Sequence, residues 1–210
     1  MAEQRLTISG PRKAKKCVIL THGAGESSDS RFLTYFADAL ADLHYRVVRF
    51  DFPYMEERSR TGRKRPPDRE NVLRETWMSV LEQVPNEKVV IGGKSMGGRI
   101  ASLVADESRA QGLICLGYPF HPTGKPEKLR TEHLADLKTP TLILQGENDP
   151  FGKREEVEQY NLSEAIKVHW APDGDHSFRP RRGSDRTEEQ NFKNGMRAIE
   201  RFLFELWVDG

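Results

Sequence analysis

A serine flanked by glycines stands where a strand is predicted to turn into a helix. Residues 93–97 read Gly-Lys-Ser-Met-Gly, a G-x-S-x-G pattern, and they directly follow the apolar run 88–92. A serine on such a tight turn projects over the edge of the sheet, and the flanking glycines relieve the crowding of the backbone. The helix behind it has free N–H groups, so the Met96 amide is predicted to stabilise an oxyanion. The pattern predicts that Ser95 is a nucleophile; a glycine-rich turn with Ser95 as a mere helix cap is the alternative.

A histidine and a carboxylate follow two later strands. His176 lies in the loop after the predicted strand 166–170, among glycine and acidic residues that are not typical of a core. Asp149 follows the predicted strand 141–145 and precedes a proline that restricts the turn, whereas Glu147 is the alternative carboxylate. A carboxylate that accepts the Nδ1 proton of a histidine leaves Nε2 free to act as a base. We therefore predict a triad of Ser95, Asp149 and His176, in a chain order that hydrolases with this serine turn use.

A second glycine-rich turn, Thr-His-Gly-Ala-Gly, ends the predicted strand 16–21. Its position predicts that the backbone N–H of Ala24 is a second oxyanion donor, which would stabilise the transition state by a few kcal/mol, roughly. We predict that His22 braces this turn by side-chain hydrogen bonds and is not the base.

Strand and helix patterns alternate along the whole chain. Strands are predicted at 16–21, 46–52, 88–92, 112–118, 141–145 and 166–170, and helices at 30–43, 68–84, 96–105, 153–160 and after a capping box of Thr187 and Gln190. A polar connection over 58–69 and a loop over 119–139, with one helical turn, complete the pattern. This alternation predicts one α/β domain over residues 1–210, with a mainly parallel sheet covered by helices on both faces. Sites on such sheets lie at the carboxyl ends of the strands.

Four segments together, THGAG, GGKSMGGR, LQGENDPFG and GDHSF, resemble the α/β-hydrolase superfamily, and the likeness extends over nearly the whole chain. Within it, they resemble a group of small predicted hydrolases without a large lid, which includes relatives of a non-catalytic subunit of a nuclear histone-acetylating complex. Size and layout are similar to those of dienelactone hydrolases, which use a cysteine nucleophile where this chain has Ser95. The resemblance implies an α/β-hydrolase fold with a sheet of seven or eight strands, eight being usual, and the triad roles given above.

Basic residues in three loops bear on the substrate. One group follows the second strand, one lies in the loop 119–139 and one comes directly after the histidine. We predict that some of these side chains rim the site and favour a small anionic ester. The alternative is that they lie on solvated loops and have no role in binding. The rim candidates are Arg63, His121, Lys125 and Arg130.

Composition excludes several other classes of function. The net charge is +1, so the molecule has no strong field toward nucleic acid or an anionic membrane. The aromatic residues, Tyr54 apart, fall at core positions, which argues against nucleic-acid stacking. There is no apolar run long enough for a membrane span, and no signal peptide is expected. Cys17 and Cys115 lie in apolar runs and are predicted to be reduced thiols in a cytoplasmic protein, with no metal and no cofactor.

The motifs predict a carboxylesterase, and we expect it to be a monomer or a homodimer. Three alternatives to this activity remain open. A catalytically silent binding module would keep the fold but has no chemical reason to keep all three triad groups. A peptidase on this fold usually adds a large gating domain, for which 210 residues leave no room. A cofactor-free perhydrolase would share every motif, and peroxide-dependent halogenation would separate it from an esterase.

Overall fold

Seven strands form one sheet in the computed structural model, which describes residues 4–208. They are β1 (Leu6–Ser9), β2 (Lys16–Thr21), β3 (Arg46–Phe50), β4 (Lys88–Lys94), β5 (Gly112–Leu116), β6 (Thr141–Gly146) and β7 (Ile166–Ala171). Their order is β1-β3-β2-β4-β5-β6-β7. β1 runs antiparallel to β3, and every other neighbouring pair is parallel. The mainly parallel sheet is thus confirmed, with seven strands in the described range and not the eight usual in the superfamily.

Helices cover both faces of this sheet. They are α1 (Arg31–Asp42), α2 (Pro53–Thr61), α3 (Glu70–Gln83), α4 (Met96–Val104), α5 (Arg154–Val157) and α6 (Glu188–Val208). Alternate residues of the central strands point to opposite faces, so that Val90 packs with α1 and α6 while Ile91 packs with α3 and α4. The strands are apolar at nearly every position because both faces are covered.

Two elements lie where the sequence predicts none. β1 is a four-residue strand at the edge of the sheet, too short to show a clear alternation. α2 begins at Pro53, before the predicted connection 58–69, and ends within it at Thr61. It is capped by Gly62, whose φ of 70° suits glycine. Only Tyr54 and Met55 of α2 are buried, so the helix has no apolar stripe from which it could be predicted.

The long connection and the last helix follow the prediction. Residues 119–139 contain a single 3₁₀ turn, Glu132–Leu134, so this segment adds no lid domain over the sheet. The Thr187 amide donates to the Gln190 side chain at 3.0 Å, and the Gln190 amide donates to the Thr187 hydroxyl at 3.1 Å. These two bonds confirm the capping box. Within residues 4–208, no helix combines the length and apolar character needed to cross a membrane.

Two phenylalanines on different helices test how much the packing of the sheet face stabilises the protein. Phe36 on α1 is fully buried, whereas Phe204 on α6 is 64% exposed. We expect Phe36→Ala to lower the free energy of unfolding by about 3–5 kcal/mol, because it leaves a cavity, and Phe204→Ala to change it by less than about 0.5 kcal/mol. Urea denaturation followed by circular dichroism measures both. Equal effects of the two substitutions would contradict this packing.

Candidate active site

Ser95 lies on the turn between β4 and α4 with a strained backbone. Its φ of 52° and ψ of −117° are unusual for a residue that has a side chain. A Cβ on Gly93 would lie 2.4 Å from the Thr21 carbonyl oxygen, and one on Gly97 would lie 2.6 Å from the His22 carbonyl oxygen. Both flanking positions therefore require glycine because β2 passes directly beside the turn. This is the geometry of a nucleophile elbow, which presents the serine hydroxyl at the carboxyl edge of the sheet.

Three polar side chains from separate loops meet at this edge. The Nε2 atom of His176 is 2.8 Å from the Oγ atom of Ser95, and its Nδ1 atom is 2.7 Å from Oδ2 of Asp149. Because the carboxylate accepts the proton on Nδ1, Nε2 is left as the acceptor for the serine proton. The structure therefore brings together the three residues that the sequence predicts as a triad.

The Asp149 carboxylate is fully buried and held by three donors. Besides His176, the Gln145 side-chain amide donates to Oδ2 at 2.9 Å, and the Phe151 backbone amide donates to Oδ1 at 2.9 Å. The alternative carboxylate, Glu147, turns away: it pairs with Arg154 at 2.9 Å. The structure thus places Asp149, and not Glu147, against the histidine.

The surroundings of His176 favour its neutral form. Burial lowers the pKa of His176 below its ordinary value, the hydrogen bond to Asp149 opposes this effect, and the Lys94 ammonium adds to it. A neutral imidazole at neutral pH is the form that can accept a proton from Ser95.

The loop that carries His176 packs closely on the end of β6. A Cβ on Gly146 would lie 2.2 Å from the carbonyl oxygen of Asp175, so this approach also requires glycine. The Asp175 carboxylate accepts from the Ser177 amide at 2.7 Å and the Arg179 amide at 3.0 Å, which closes the turn just after the histidine. These contacts restrict where the imidazole can lie.

The turn that follows β2 lies against the serine. A Cβ on Gly23 would lie 3.4 Å from Cβ of Ser95. The His22 ring donates from Nδ1 to the Gly23 carbonyl at 2.6 Å and accepts at Nε2 from the Phe52 amide at 2.9 Å, which confirms its bracing role. Ala24 is exposed, and among residues 4–208 its amide donates to no protein acceptor.

Met96 is the first residue of α4, so its amide has no partner within the helix. The two amides predicted as oxyanion donors, those of Ala24 and Met96, thus belong to the two backbone segments that flank Ser95.

A cleft of about 540 Å³ lies at loops next to the triad, although none of Ser95, Asp149 and His176 lines it. Its lining includes Gly25, the last residue of the glycine-rich turn 21–25 (called the oxyanion turn below), and Ser177, next to the histidine. Five charged side chains also line it: Glu26, Arg31, Arg58, Arg179 and Glu188. Three positive and two negative charges leave the cleft net positive.

The four rim candidates lie elsewhere, since none of them lines this cleft. His121 is buried, with its Nδ1 atom 3.0 Å from the Pro122 carbonyl, because the segment folds back onto the body of the protein. Arg130 is half-buried, while Lys125 and Arg63 are exposed on loops. The rim expectation is corrected for His121. The basic residues that line the cleft are Arg31 at the start of α1, Arg58 on α2 and Arg179 just after the histidine.

Three residues beside the triad were not singled out from the sequence. Gln145 holds the acid, Phe151 packs its ring 4.4 Å from the His176 ring, and Tyr54 donates its hydroxyl to the carbonyls of the oxyanion turn. A glutamine at the end of the predicted apolar strand 141–145 is a sequence signal for a polar partner at this site. Tyr54, expected away from the core, is fully buried.

Comparisons with known proteins agree with this fold. A family described as "Alpha/beta hydrolase domain" matches residues 14–204, so the chain belongs to this family, which supports a hydrolase activity. The lidless serine hydrolase XC6422 from Xanthomonas campestris superposes with a TM-score of 0.70 at 20% identity, over 95% of this chain and 88% of that chain. Dienelactone hydrolase from Anabaena variabilis gives 0.69 at 20% identity, over 93% and 90%. Both likenesses show the fold.

A curated relative is similar in sequence over part of the chain. It is the "putative protein-lysine deacylase ABHD14B" of Rattus norvegicus, which is 31% identical over 137 residues. The match covers 64% of this chain and 62% of the relative, so it spans less than two thirds of that protein.

The contact between Asp149 and His176 can be tested without a substrate. We expect Asp149→Asn to lower the pKa of His176, because the carboxylate stabilises the imidazolium through a hydrogen bond and its charge. NMR titration of the imidazole measures this. Glu147→Gln is the matched control and should leave the titration unchanged, since Glu147 contacts Arg154 instead. A His176 pKa that is insensitive to Asp149→Asn would show that the two groups do not interact in solution.

Proposed function

We propose that this protein is a serine hydrolase that cleaves a small anionic ester through an acyl-enzyme, with Ser95 as nucleophile, His176 as base and Asp149 as the orienting acid. The hydrogen-bonded chain from Ser95 to Asp149 carries this proposal, because it is complete and lies at the carboxyl edge of the sheet. A silent binding module would not need this alignment.

In the proposed first step, His176 takes the proton of Ser95 while Oγ attacks the ester carbonyl carbon. The Met96 and Ala24 amides stabilise the negative charge that develops on the carbonyl oxygen. The C–O bond to the alcohol then breaks, and the alcohol leaves with the proton from His176. Water, deprotonated by the same imidazole, hydrolyses the acyl-enzyme and restores Ser95.

The charges of the cleft favour an acyl or alcohol part that carries a carboxylate or a similar anion. Arg179 and Arg31 both contact Glu188, at 2.9 and 3.3 Å, which holds the two guanidinium groups in place. Arg58 donates to the Gly25 carbonyl at 2.9 Å, which places its guanidinium group beside the oxyanion turn. An anion bound between these groups would lie near Gly25 and Ser177, the neighbours of Ala24 and His176 in the chain.

Cleavage of an N-acyl-lysine amide is the second candidate, favoured by the likeness to the relative named as a lysine deacylase. The same groups would attack the amide, and His176 would protonate the departing amine. An acetyl-lysine peptide, assayed beside short esters with and without a carboxylate, distinguishes the two candidates by their kcat/KM values.

A fluorophosphonate probe tests for an activated serine. We expect one covalent adduct on the wild type and none on Ser95→Ala, because only a serine paired with a base reacts readily. Ser177→Ala is the matched control, since Ser177 lines the neighbouring cleft and should be labelled like the wild type. Intact mass spectrometry reads the result. A folded wild type without an adduct, or a labelled Ser95→Ala, would refute the proposed nucleophile.

The anionic preference is tested with a pair of esters that differ only in a terminal carboxylate. We expect Arg179→Gln to raise KM for the charged ester about fivefold, because an accessible arginine–carboxylate contact contributes about 1 kcal/mol. The KM for the neutral ester should change less than about twofold. Arg63→Gln removes an exposed arginine that does not line the cleft and serves as the control. Equal KM changes for both esters would argue against an anion site.

A further inference from the structure

Lys94 is the first x of the G-x-S-x-G pattern, directly before the nucleophile. It has no role in the reaction steps proposed above. It is the last residue of β4 and follows Val90 and Gly92 on the face of the sheet that α1 and α6 cover. A lysine on this apolar face needs partners for its charge, because an unpaired buried charge is costly.

The ammonium group of Lys94 lies between the serine turn and the histidine loop. Its Nζ atom donates a hydrogen bond to the backbone carbonyl of His176. It also lies 4.6 Å from the centre of the Phe32 ring and 5.5 Å from that of Phe178. Two aromatic faces and a carbonyl oxygen are favourable surroundings for a cation.

Gly117 provides the space for this arrangement. A Cβ on Gly117 would lie 2.8 Å from Nζ of Lys94 and 3.3 Å from Cε1 of His176. The ammonium and the imidazole edge are therefore separated by at most about 6 Å, a range in which one charge affects the titration of another.

We propose that Lys94 is a positioning residue for the hydrolase reaction: its ammonium ties the backbone of His176 to the end of the strand that carries Ser95. The tether joins residues 82 positions apart along the chain. It acts on the backbone of the histidine, while Asp149 orients the ring from the other side. Displacing a base by about 1 Å can cost on the order of a hundredfold in rate.

The charge of Lys94 has a second effect on the same histidine. The charged groups that face His176 are Lys94, Asp149 and Asp175, and the positive one opposes protonation of the ring. Burial lowers the pKa of Lys94 to about 8, against the influence of Asp149, Asp175 and Glu26, so the side chain is mostly charged at neutral pH. Lys94 therefore helps to keep the base neutral as the pH falls.

This inference rests on the proposed function for its kinetic test. We expect Lys94→Met to lower kcat about tenfold with KM changed less than twofold, and to move the acid limb of the kcat/KM profile to higher pH. Lys94→Arg keeps the cation and should restore the acid limb. Lys16→Met is the matched control, because Lys16 also lies over an aromatic ring, 5.4 Å from that of Trp207, but at the opposite end of the sheet.

NMR titration of His176 provides a readout that needs no turnover. The His176 pKa should rise in Lys94→Met and stay at the wild-type value in Lys94→Arg and Lys16→Met. A folded Lys94→Met with unchanged kcat and unchanged His176 pKa would overturn the inference. If the wild type fails to react with a fluorophosphonate while Lys94→Met still raises the pKa, the proposed function fails and the electrostatic effect of Lys94 on His176 stands. A reactive wild type, with kcat and the His176 pKa both unchanged in Lys94→Met, would refute the role of Lys94 alone.

Discussion

The close passage of β2 beside the turn at the end of β4 is the constraint on which the site depends. At Gly93 and Gly97 a side chain would collide with the carbonyl groups of Thr21 and His22, so the two backbones meet without side chains between them. Ser95 is held in a strained conformation by this packing, and strain of this kind persists only where the surroundings determine it. The serine and the turn that carries the proposed oxyanion donor are thereby fixed relative to each other.

Opposing electrostatic influences act on the histidine placed over this turn. Asp149 is fully buried, and a buried carboxylate is tolerated only when donors satisfy it, as Gln145, the Phe151 amide and His176 do. The carboxylate favours the imidazolium, whereas burial and the Lys94 ammonium favour the neutral ring. The base is held in position from both sides, while its charge depends on the balance of these contributions.

The cleft near the triad is built from loops and from residues of α1, α2 and α6, not from the sheet. Its arginines contact Glu188 on α6 and the Gly25 carbonyl of the turn after β2. Substrate preference on this fold therefore depends on segments that can vary without disturbing the strands that hold the serine. For this reason family membership supports hydrolysis but does not specify the substrate.

The sequence by itself determined the alternating strands and helices and the three triad candidates, because each candidate directly follows an apolar run and parallel strands end at one edge. It favoured Asp149 over Glu147, but the pairing of Glu147 with Arg154 is a contact between side chains that only the folded loop defines. The short β1, the exposed α2, the burial of His121 and the tether from Lys94 were decided by tertiary structure. Local patterns record which face of an element is apolar, whereas loop paths follow from packing between residues distant in the chain.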